Sequence, residues 1–318
     1  MRVTTFEDLN ERDTEWLAAA GSEYGVDVQR RVEPAGDETA VLIEHRTLAP
    51  EDVARMSLLQ TVFIFDFGKA TLPVNHLDAK GILVRQVPNL AGLGVAEHAF
   101  ALLLALKKQL FAGHQAVVQN VWRDGVTEPL YTDQRAHTFN WSGIPDLGWL
   151  YGETLGIIGF GRIGRAVAAR ARAFGMDVLY FNRHRLAVPV ERQLGVRYAA
   201  LPDLLAAADA VTLHLPFTPD SEHLLGSAEF ALMKPTAILL NLARGRVVDE
   251  PALIEALQHR TIAAAGLDVL VHEPPHPDNP ILHLDNVILT PHYAGIHSPV
   301  ARREQFRTAL RWIARDMD

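Results

Sequence analysis

The 318-residue sequence is long enough for two domains, and its 48% hydrophobic and 21% charged residues are typical of a soluble globular protein. A net charge of −8 argues against non-specific nucleic-acid binding, and the lack of cysteine excludes disulfides, thiolate metal sites and a cysteine nucleophile. The acidic N-terminal segment does not resemble a signal peptide, so we expect a cytoplasmic protein that binds neither nucleic acid nor membrane.

The first part of the chain predicts a small α/β domain. Three apolar runs are typical of strands separated by helical stretches, namely AVLIEH at 40–45, TVFIFDF at 61–67 and GILVRQV at 81–87. We therefore assign residues 1–93 to a smaller substrate domain.

A long helix is expected to join this domain to the next one. Residues 95–123 have helical periodicity, and their most apolar part, AFALLLAL, is too short to cross a bilayer. The irregular, aromatic residues 125–152 that follow are typical of an arm or interface loop rather than a flexible linker.

Residues 94–290 predict a doubly wound Rossmann domain. Their apolar runs are continuous rather than alternating, which indicates strands buried on both faces of a parallel sheet: LGIIGF, DVLYFN, AVTLHL, AILLNLA, AAAGLDV and NVILTP. The C-terminal residues 298–318 form one amphipathic helix, so we expect residues 291–318 to pack back on the first domain. The expected fold is α/β, with two doubly wound domains and the Rossmann cofactor domain inserted into a smaller, flavodoxin-like substrate domain.

A glycine motif indicates a dinucleotide site. Gly159, Gly161 and Gly164 lie between a predicted strand and a predicted helix, where they would allow a tight turn, close approach of a pyrophosphate and close helix–strand packing. The amides of Arg162 and Ile163 would then face the anion at the start of the helix. Packing alone could also explain three glycines.

The end of the second strand favours NADP(H) over NAD(H). The position that usually carries an acid in NAD sites is Asn182, and it is followed by Arg183 and Arg185. An arginine can clamp a 2′-phosphate, which an acid would repel. The alternative is a solvated basic turn.

Three further strand ends carry candidate catalytic groups. They offer Arg244, Asp268 with Glu273 in the following loop, and His292, all at the edge where doubly wound sheets bind ligands. Singly, Arg244 could be an exposed loop arginine, Glu273 a solvated carboxylate and His292 a strand cap. Their convergence favours catalysis, and no metal is expected.

The chemistry of 2-oxo and 2-hydroxy acids explains these residue types. Arg244 can grip the substrate carboxylate, and His292 can give a proton to the carbonyl oxygen as hydride arrives or take it back in oxidation. Glu273 would orient the imidazole and favour its protonated form.

The sequence resembles the D-2-hydroxyacid dehydrogenase family. The resemblance is carried, in order, by GILVRQVPN, VAEHAFALLLAL, GIIGFGRIGR, LHLPFTPDSEHLL, NLARGRVVDE, GLDVLVHEPP and NVILTPHYAG. It implies that Arg244, Glu273 and His292 are the catalytic trio and that Asp268 lies near the nicotinamide carboxamide. It also implies homodimers formed through the cofactor domain, and further cofactor contacts from Leu215, Pro216, Ser221, Leu242, Ala243 and His292.

Two departures from the family pattern matter. The loop expected to bind substrate reads DFGKATLPVNHLD, in which Gly68 is retained and Lys69 is either an extra cation for the substrate or a surface lysine. Asn182 in place of an acid resembles the glyoxylate/hydroxypyruvate reductase branch. Trp141, in the arm, is a candidate to approach the active site of a partner subunit.

We therefore expect an NADP-preferring reductase of a small 2-oxo acid such as glyoxylate or hydroxypyruvate. A dehydrogenase of the same family acting on another small anion such as phosphite would use similar residues. A dinucleotide-sensing scaffold dimer without enzymatic activity is the alternative from another class.

Overall fold

The structure is a computed structural model that describes residues 2–7, 9–44, 46–65, 72–88, 90–133, 135–296 and 298–315. The chain divides into two units, one made of residues 1–91 and 297–318 and the other of residues 92–296. Within the described residues, no helix is both long and apolar enough to cross a membrane.

A parallel five-stranded sheet forms the first unit, in the order β2-β1-β3-β4-β5. This is the flavodoxin-like order, as predicted. All four residues of both β3 and β4 are buried, because helices cover both faces of the sheet. The strands are β1 (Arg2–Thr5), β2 (Asp27–Arg30), β3 (Ala40–Ile43), β4 (Thr61–Ile64) and β5 (Leu83–Gln86).

The described residues of the first unit form four helices: α1 (Glu11–Glu23), α2 (Pro50–Arg55), α3 (Val74–Ala79) and the C-terminal α11 (Pro299–Arg315). The apolar face of α11 packs into the core beside α1 and the sheet, through Phe306, Ala309, Leu310 and Ile313. Arg302 of α11 also donates two hydrogen bonds to the buried carboxylate of Glu44, at 2.9 and 2.7 Å.

A parallel seven-stranded sheet forms the second unit, in the order β12-β11-β10-β9-β6-β7-β8. Numbered within the unit, this is the Rossmann order 3-2-1-4-5-6 with one strand added, so the predicted fold class is confirmed. The strands are β6 (Thr154–Ile158), β7 (Asp177–Phe181), β8 (Arg197–Tyr198), β9 (Ala210–Leu213), β10 (Ile238–Asn241), β11 (Ala264–Leu267) and β12 (Val287–Leu289).

The described part of the second unit contains seven helices. They are α4 (Ala91–Lys107), α5 (Leu110–Val118), α6 (Arg162–Ala173), α7 (Val188–Leu194), α8 (Leu201–Ala207), α9 (Ser227–Leu232) and α10 (Glu250–Gln258). Short 3-10 turns follow three strands, at Pro219–Ser221, Gly245–Val247 and Pro280–His283.

The prediction of one continuous helix over residues 95–123 is wrong. Helix α4 ends at Lys107, and α5 begins at Leu110 after Gln109 adopts a left-handed conformation with φ 50°. The Lys107 carbonyl accepts a hydrogen bond from the amide of Gly148 at 2.8 Å. A residue distant in the sequence thus satisfies the end of α4, and the helix need not continue.

Candidate active site

The glycine loop after β6 has the geometry of a phosphate cradle. Gly159 has φ 91°, and a Cβ there would lie 2.5 Å from the carbonyl oxygen of His214. A Cβ on Gly164 would lie 2.3 Å from the Gly159 oxygen, so both positions require glycine. Gly161 is the N-cap of α6, and no non-neighbouring atom lies within 4 Å of its Cβ position. This open space before the amides of Arg162 and Ile163 fits a pyrophosphate.

The basic turn after β7 carries two exposed arginines, Arg183 and Arg185. Asn182 accepts a hydrogen bond from the Phe160 amide at 3.4 Å and donates one to the His184 carbonyl, so it ties this turn to the glycine loop. Arg183 is exposed and 3.5 Å from Asp220. Arg185 is instead bonded twice to buried Glu191, at 2.8 and 2.9 Å, which assigns it a structural role in this turn.

The turn after β9 lies against the glycine loop. The Leu215 amide would be 2.8 Å from a Cβ on Gly159. Ser221 is buried, donates to the Pro216 carbonyl at 3.0 Å and accepts from the Thr218 amide at 2.8 Å. Its hydroxyl therefore shapes the turn that presents Leu215 and Pro216.

A half-buried histidine, one of whose ring nitrogens is shielded from solvent, follows β9. Nε2 of His214 lies 2.9 Å from the hydroxyl of Thr212, whereas its buried Nδ1 has no hydrogen-bond partner. Burial lowers the pKa of His214 to about 3, so the ring is neutral at physiological pH.

Buried Asn241 shapes the turn that carries Arg244. Its Oδ1 accepts from the Ala243 amide at 3.0 Å and its Nδ2 donates to the Arg244 carbonyl at 3.1 Å. Leu242 and Ala243 are buried in this turn, whereas the Arg244 side chain is exposed and donates to the Ala243 carbonyl at 2.6 Å.

Asp268 holds the segment that follows β12. It is buried after β11 and accepts hydrogen bonds from the Thr290 hydroxyl at 2.6 Å, the Tyr293 amide at 3.2 Å and the Ala294 amide at 3.0 Å. These residues bracket His292, which has φ 53° and donates its amide to the Thr290 carbonyl at 3.0 Å. Asp268 thus fixes the turn from which the imidazole projects.

The imidazole of His292 is paired with a carboxylate. Its Nδ1 lies 2.7 Å from Oε2 of Glu273, and Oε1 of Glu273 accepts from the Leu270 amide at 3.0 Å. A carboxylate only accepts, so Nδ1 carries the hydrogen and Nε2, on the opposite side of the ring, can exchange a proton. Both side chains are partly accessible, 46% for His292 and 39% for Glu273.

The loop after β11, which contains Leu270, contacts both the turn that carries Arg244 and the pair of Glu273 and His292. A Cβ on Gly245, next to Arg244, would lie 2.0 Å from the Leu270 carbonyl, so the two turns are packed backbone to backbone. The Leu270 amide in turn holds Glu273, which pairs with His292. An apolar pocket of about 390 Å³ lies beside the pair, lined among others by Leu270, Pro274, Leu282, Leu289 and Pro291.

Some predicted residues cannot be placed at the site. Gly68 and Lys69 lie outside the described residues. Trp141 is half-buried in the arm, where its carbonyl accepts from the Arg123 amide. The described residues contain no group of three or more His, Asp or Glu side chains arranged to hold a metal ion.

Sequence reasoning missed the residues that orient the candidate catalytic groups. Asn241, Gly245 and Thr290 each lie within three residues of a predicted catalytic residue. A signal was present for Asn241 and Thr290, since a polar side chain that ends an apolar strand must find a partner. The contact that requires Gly245 is long-range, and no local pattern indicates it.

Comparisons with known proteins identify the family of the chain. Residues 100–294 match the family described as D-isomer specific 2-hydroxyacid dehydrogenase, NAD binding domain. A glyoxylate reductase of Korarchaeum cryptofilum is 40% identical over 238 residues, which make up 74% of this chain and 67% of that protein. The match therefore spans about two thirds of the relative's length.

Solved structures align along nearly the whole chain. An acyclic imino acid reductase in complex with NADPH and D-Arg has a TM-score of 0.67 at 27% identity, with 98% of this chain and 95% of that one covered. A glyoxylate reductase from Paecilomyes thermophila has a TM-score of 0.68 at 25% identity, with 99% and 95% covered.

Proposed function

Since the chain belongs to the D-isomer specific 2-hydroxyacid dehydrogenase family of NAD(P)-dependent oxidoreductases, we propose that it reduces a small 2-oxo acid, such as glyoxylate or hydroxypyruvate, with NADPH. The observation that carries this proposal is the 2.7 Å pair of His292 and Glu273 after β12. The carboxyl ends of parallel strands meet at one edge of the sheet, which is also the edge of the glycine loop.

Each residue of the site has a distinct task. Arg244 anchors the substrate carboxylate through its planar guanidinium and polarises the carbonyl. The nicotinamide cofactor, when bound, supplies the hydride. His292 gives the proton on Nε2 to the carbonyl oxygen, and Glu273 keeps the ring oriented and stabilises its positive charge before the proton leaves. Asp268, buried below the same turn, would lie near the carboxamide of the bound cofactor.

The cofactor preference rests on the turn after β7. It carries no carboxylate at residue 182, and exposed Arg183 has only a 3.5 Å pair with an exposed aspartate to give up. A 2′-phosphate can replace that aspartate as the partner of the guanidinium. The structurally similar acyclic imino acid reductase, solved in complex with NADPH, supports the same choice.

The arm supports assembly into a homodimer through the cofactor unit. Large apolar side chains are exposed along residues 110–151, and patches of this kind on a soluble protein mark interaction surfaces. They are Leu110, Phe111, Val117, Val118, Val121, Leu130, Tyr131, Phe139, Leu147, Trp149 and Tyr151. We propose that a second copy of the chain covers them, in the cytoplasm, whose reducing conditions suit a protein without cysteine.

A substrate panel tests the reaction. We expect NADPH oxidation with glyoxylate and hydroxypyruvate, and a loss in kcat of about 10²–10⁴ in His292→Asn. The matched control is His276→Asn, since His276 is also exposed and also lies 2.8 Å from a carboxylate, that of Asp278. Near-normal turnover of His292→Asn would exclude the acid/base role. No turnover of any 2-oxo acid by the wild type would favour phosphite oxidation or the sensing scaffold instead.

A second pair of variants tests the cofactor preference. Arg183→Ala is expected to lower kcat/KM with NADPH by about tenfold or more and to leave NADH almost unaffected, because the guanidinium contacts only the 2′-phosphate. Arg192→Ala, which removes an exposed arginine of α7, is the control. An unchanged ratio of NADPH to NADH efficiency in Arg183→Ala would refute this part of the proposal.

A further inference from the structure

A second imidazole lies behind the catalytic turn. His98 is on α4, and its side chain is only 14% exposed. Its Nε2 is 3.0 Å from the hydroxyl of Thr290 and 3.7 Å from Oδ1 of Asp268. Its ring packs edge-on against Tyr293, with the ring centroids 5.0 Å apart. His98 therefore touches residues on both sides of His292 without being part of the acid/base pair.

Helix α4 approaches this turn closely. One helical turn before His98, a Cβ on Gly94 would be 3.1 Å from the carbonyl oxygen of Ala294. Val95 lies beside Gly295 on the same face of the helix, 3.6 Å from its Cβ position. A histidine at residue 98 is thus carried on a rigid element that is already in contact with the segment it touches.

The single hydrogen of the Thr290 hydroxyl decides which group donates in each hydrogen bond of this cluster. The Thr290 hydroxyl has one hydrogen, and it donates that hydrogen to the Asp268 carboxylate at 2.6 Å. Towards His98 the hydroxyl can then only accept, so Nε2 of His98 must carry a hydrogen. The result is a directed chain from the imidazole through the hydroxyl to the carboxylate, in which each bond polarises the next.

We propose that His98 is a positioning residue for the catalytic turn. Its Nε2–H holds the Thr290 hydroxyl towards Asp268, and its ring supports Tyr293. The two contacts together hold the left-handed backbone of His292 in place, and with it the direction of the Nε2 that transfers the proton. The consequence for catalysis rests on the proposed function, since it assumes that His292 is the acid/base.

Two substitutions of His98 distinguish a role in positioning the catalytic turn from a role in folding alone. Leucine at residue 98 fills a similar volume without a donor, whereas the amide nitrogen of glutamine can replace Nε2. We expect His98→Leu to lower kcat by about 10- to 100-fold, because small displacements of catalytic groups are costly, with a much smaller change in KM. His98→Gln should restore most of the activity. His259→Leu, at an exposed position, is the control for loss of a histidine.

A double-substitution cycle tests the path through the hydroxyl. Thr290→Val removes the relay atom and preserves the shape of the side chain. If the chain operates as one unit, His98→Leu and Thr290→Val together should cost little more than either alone. Losses in kcat that add up in the double variant would overturn the relay. It would also be overturned if His98→Leu and His98→Gln lost equal activity while keeping the melting temperature of the wild type.

A spectroscopic measurement on the cofactor-free protein decides the proposal independently of turnover. With 15N-labelled histidine, His98 should show the tautomer protonated at Nε2, and the ring signals of His292 should shift in His98→Leu but stay in place in His98→Gln. Protonation at Nδ1 alone, or unshifted His292 signals in His98→Leu, would overturn the role of His98. A wild type inactive on every 2-oxo acid would refute the proposed reaction and leave this result intact.

Discussion

At the scale of single residues, His214 makes stability depend on pH. Its folded-state pKa is lowered by burial from 6.5 to about 3. In the unfolded chain the His214 imidazole therefore binds a proton near pH 6.5, whereas in the folded protein it binds one only near pH 3. Stability must fall as the pH drops through this interval, by about 2 kcal/mol between pH 7 and pH 5.

The comparison with His214→Gln isolates this effect. Glutamine keeps hydrogen-bonding groups at the position but does not titrate, so the variant should lose less stability on acidification than the wild type. Urea unfolding of the cofactor-free proteins at pH 7, 6 and 5 measures the difference. Parallel losses in the two proteins would show that His214 is not the titrating group.

The candidate catalytic groups could be proposed from sequence because each one follows a recognisable strand. Arg244, Glu273 and His292 are of residue types that the reaction needs, and parallel topology sends them to one edge. Their supports could not be predicted in the same way. The His98–Thr290 contact joins residues 192 positions apart, and the required absence of a side chain at Gly245 depends on the Leu270 carbonyl.

At the scale of elements, strands with continuous apolar sequences were predicted well and strands of mixed composition were not. The predicted strands around β3, β4 and β6 have continuous apolar sequences, whereas β1 reads RVTT and β2 reads DVQR. These two strands are stabilised by pairing in the sheet rather than by their own composition. The break between α4 and α5 was missed for a related reason, since it depends on a hydrogen bond from Gly148.

Helix α11 gives a testable case of an element held by its core contacts. Leu310 is fully buried between α11, α1 and the first sheet. Leu310→Ala removes apolar contacts and leaves a cavity, so the first unit should lose about 2–5 kcal/mol. Leu58→Ala, which truncates an exposed leucine of the same unit, should have almost no effect.

Hydrogen exchange resolves the two units, which a single melting curve need not do. In Leu310→Ala, the amides of β1, β3 and β4 should exchange faster than in the wild type. The amides of β6 and β9 to β11, in the second unit, should keep their protection. Unchanged exchange in β1 would contradict the view that α11 completes the core of the first unit.

At the scale of the whole molecule, the arm is the feature that a single chain leaves unexplained. Its described residues between α5 and β6 form neither helix nor strand, and they present aromatic side chains to solvent. A folded chain gains nothing from ordering exposed rings, because the hydrophobic contribution comes only when apolar surface leaves water. A second copy of the chain would bury these rings, and this is the reason for proposing a homodimer.

Charge placed in the arm should therefore separate the subunits. We expect the wild type to sediment at twice the chain mass of 35.1 kDa, and Tyr131→Asp/Phe139→Asp to sediment at the single mass, because a buried unpaired carboxylate opposes association. Val32→Asp adds a charge at an exposed apolar residue of the first unit and should leave the dimer intact. A wild type at 35.1 kDa, or a double variant that stays dimeric, would mean that the exposed rings of the arm serve another contact.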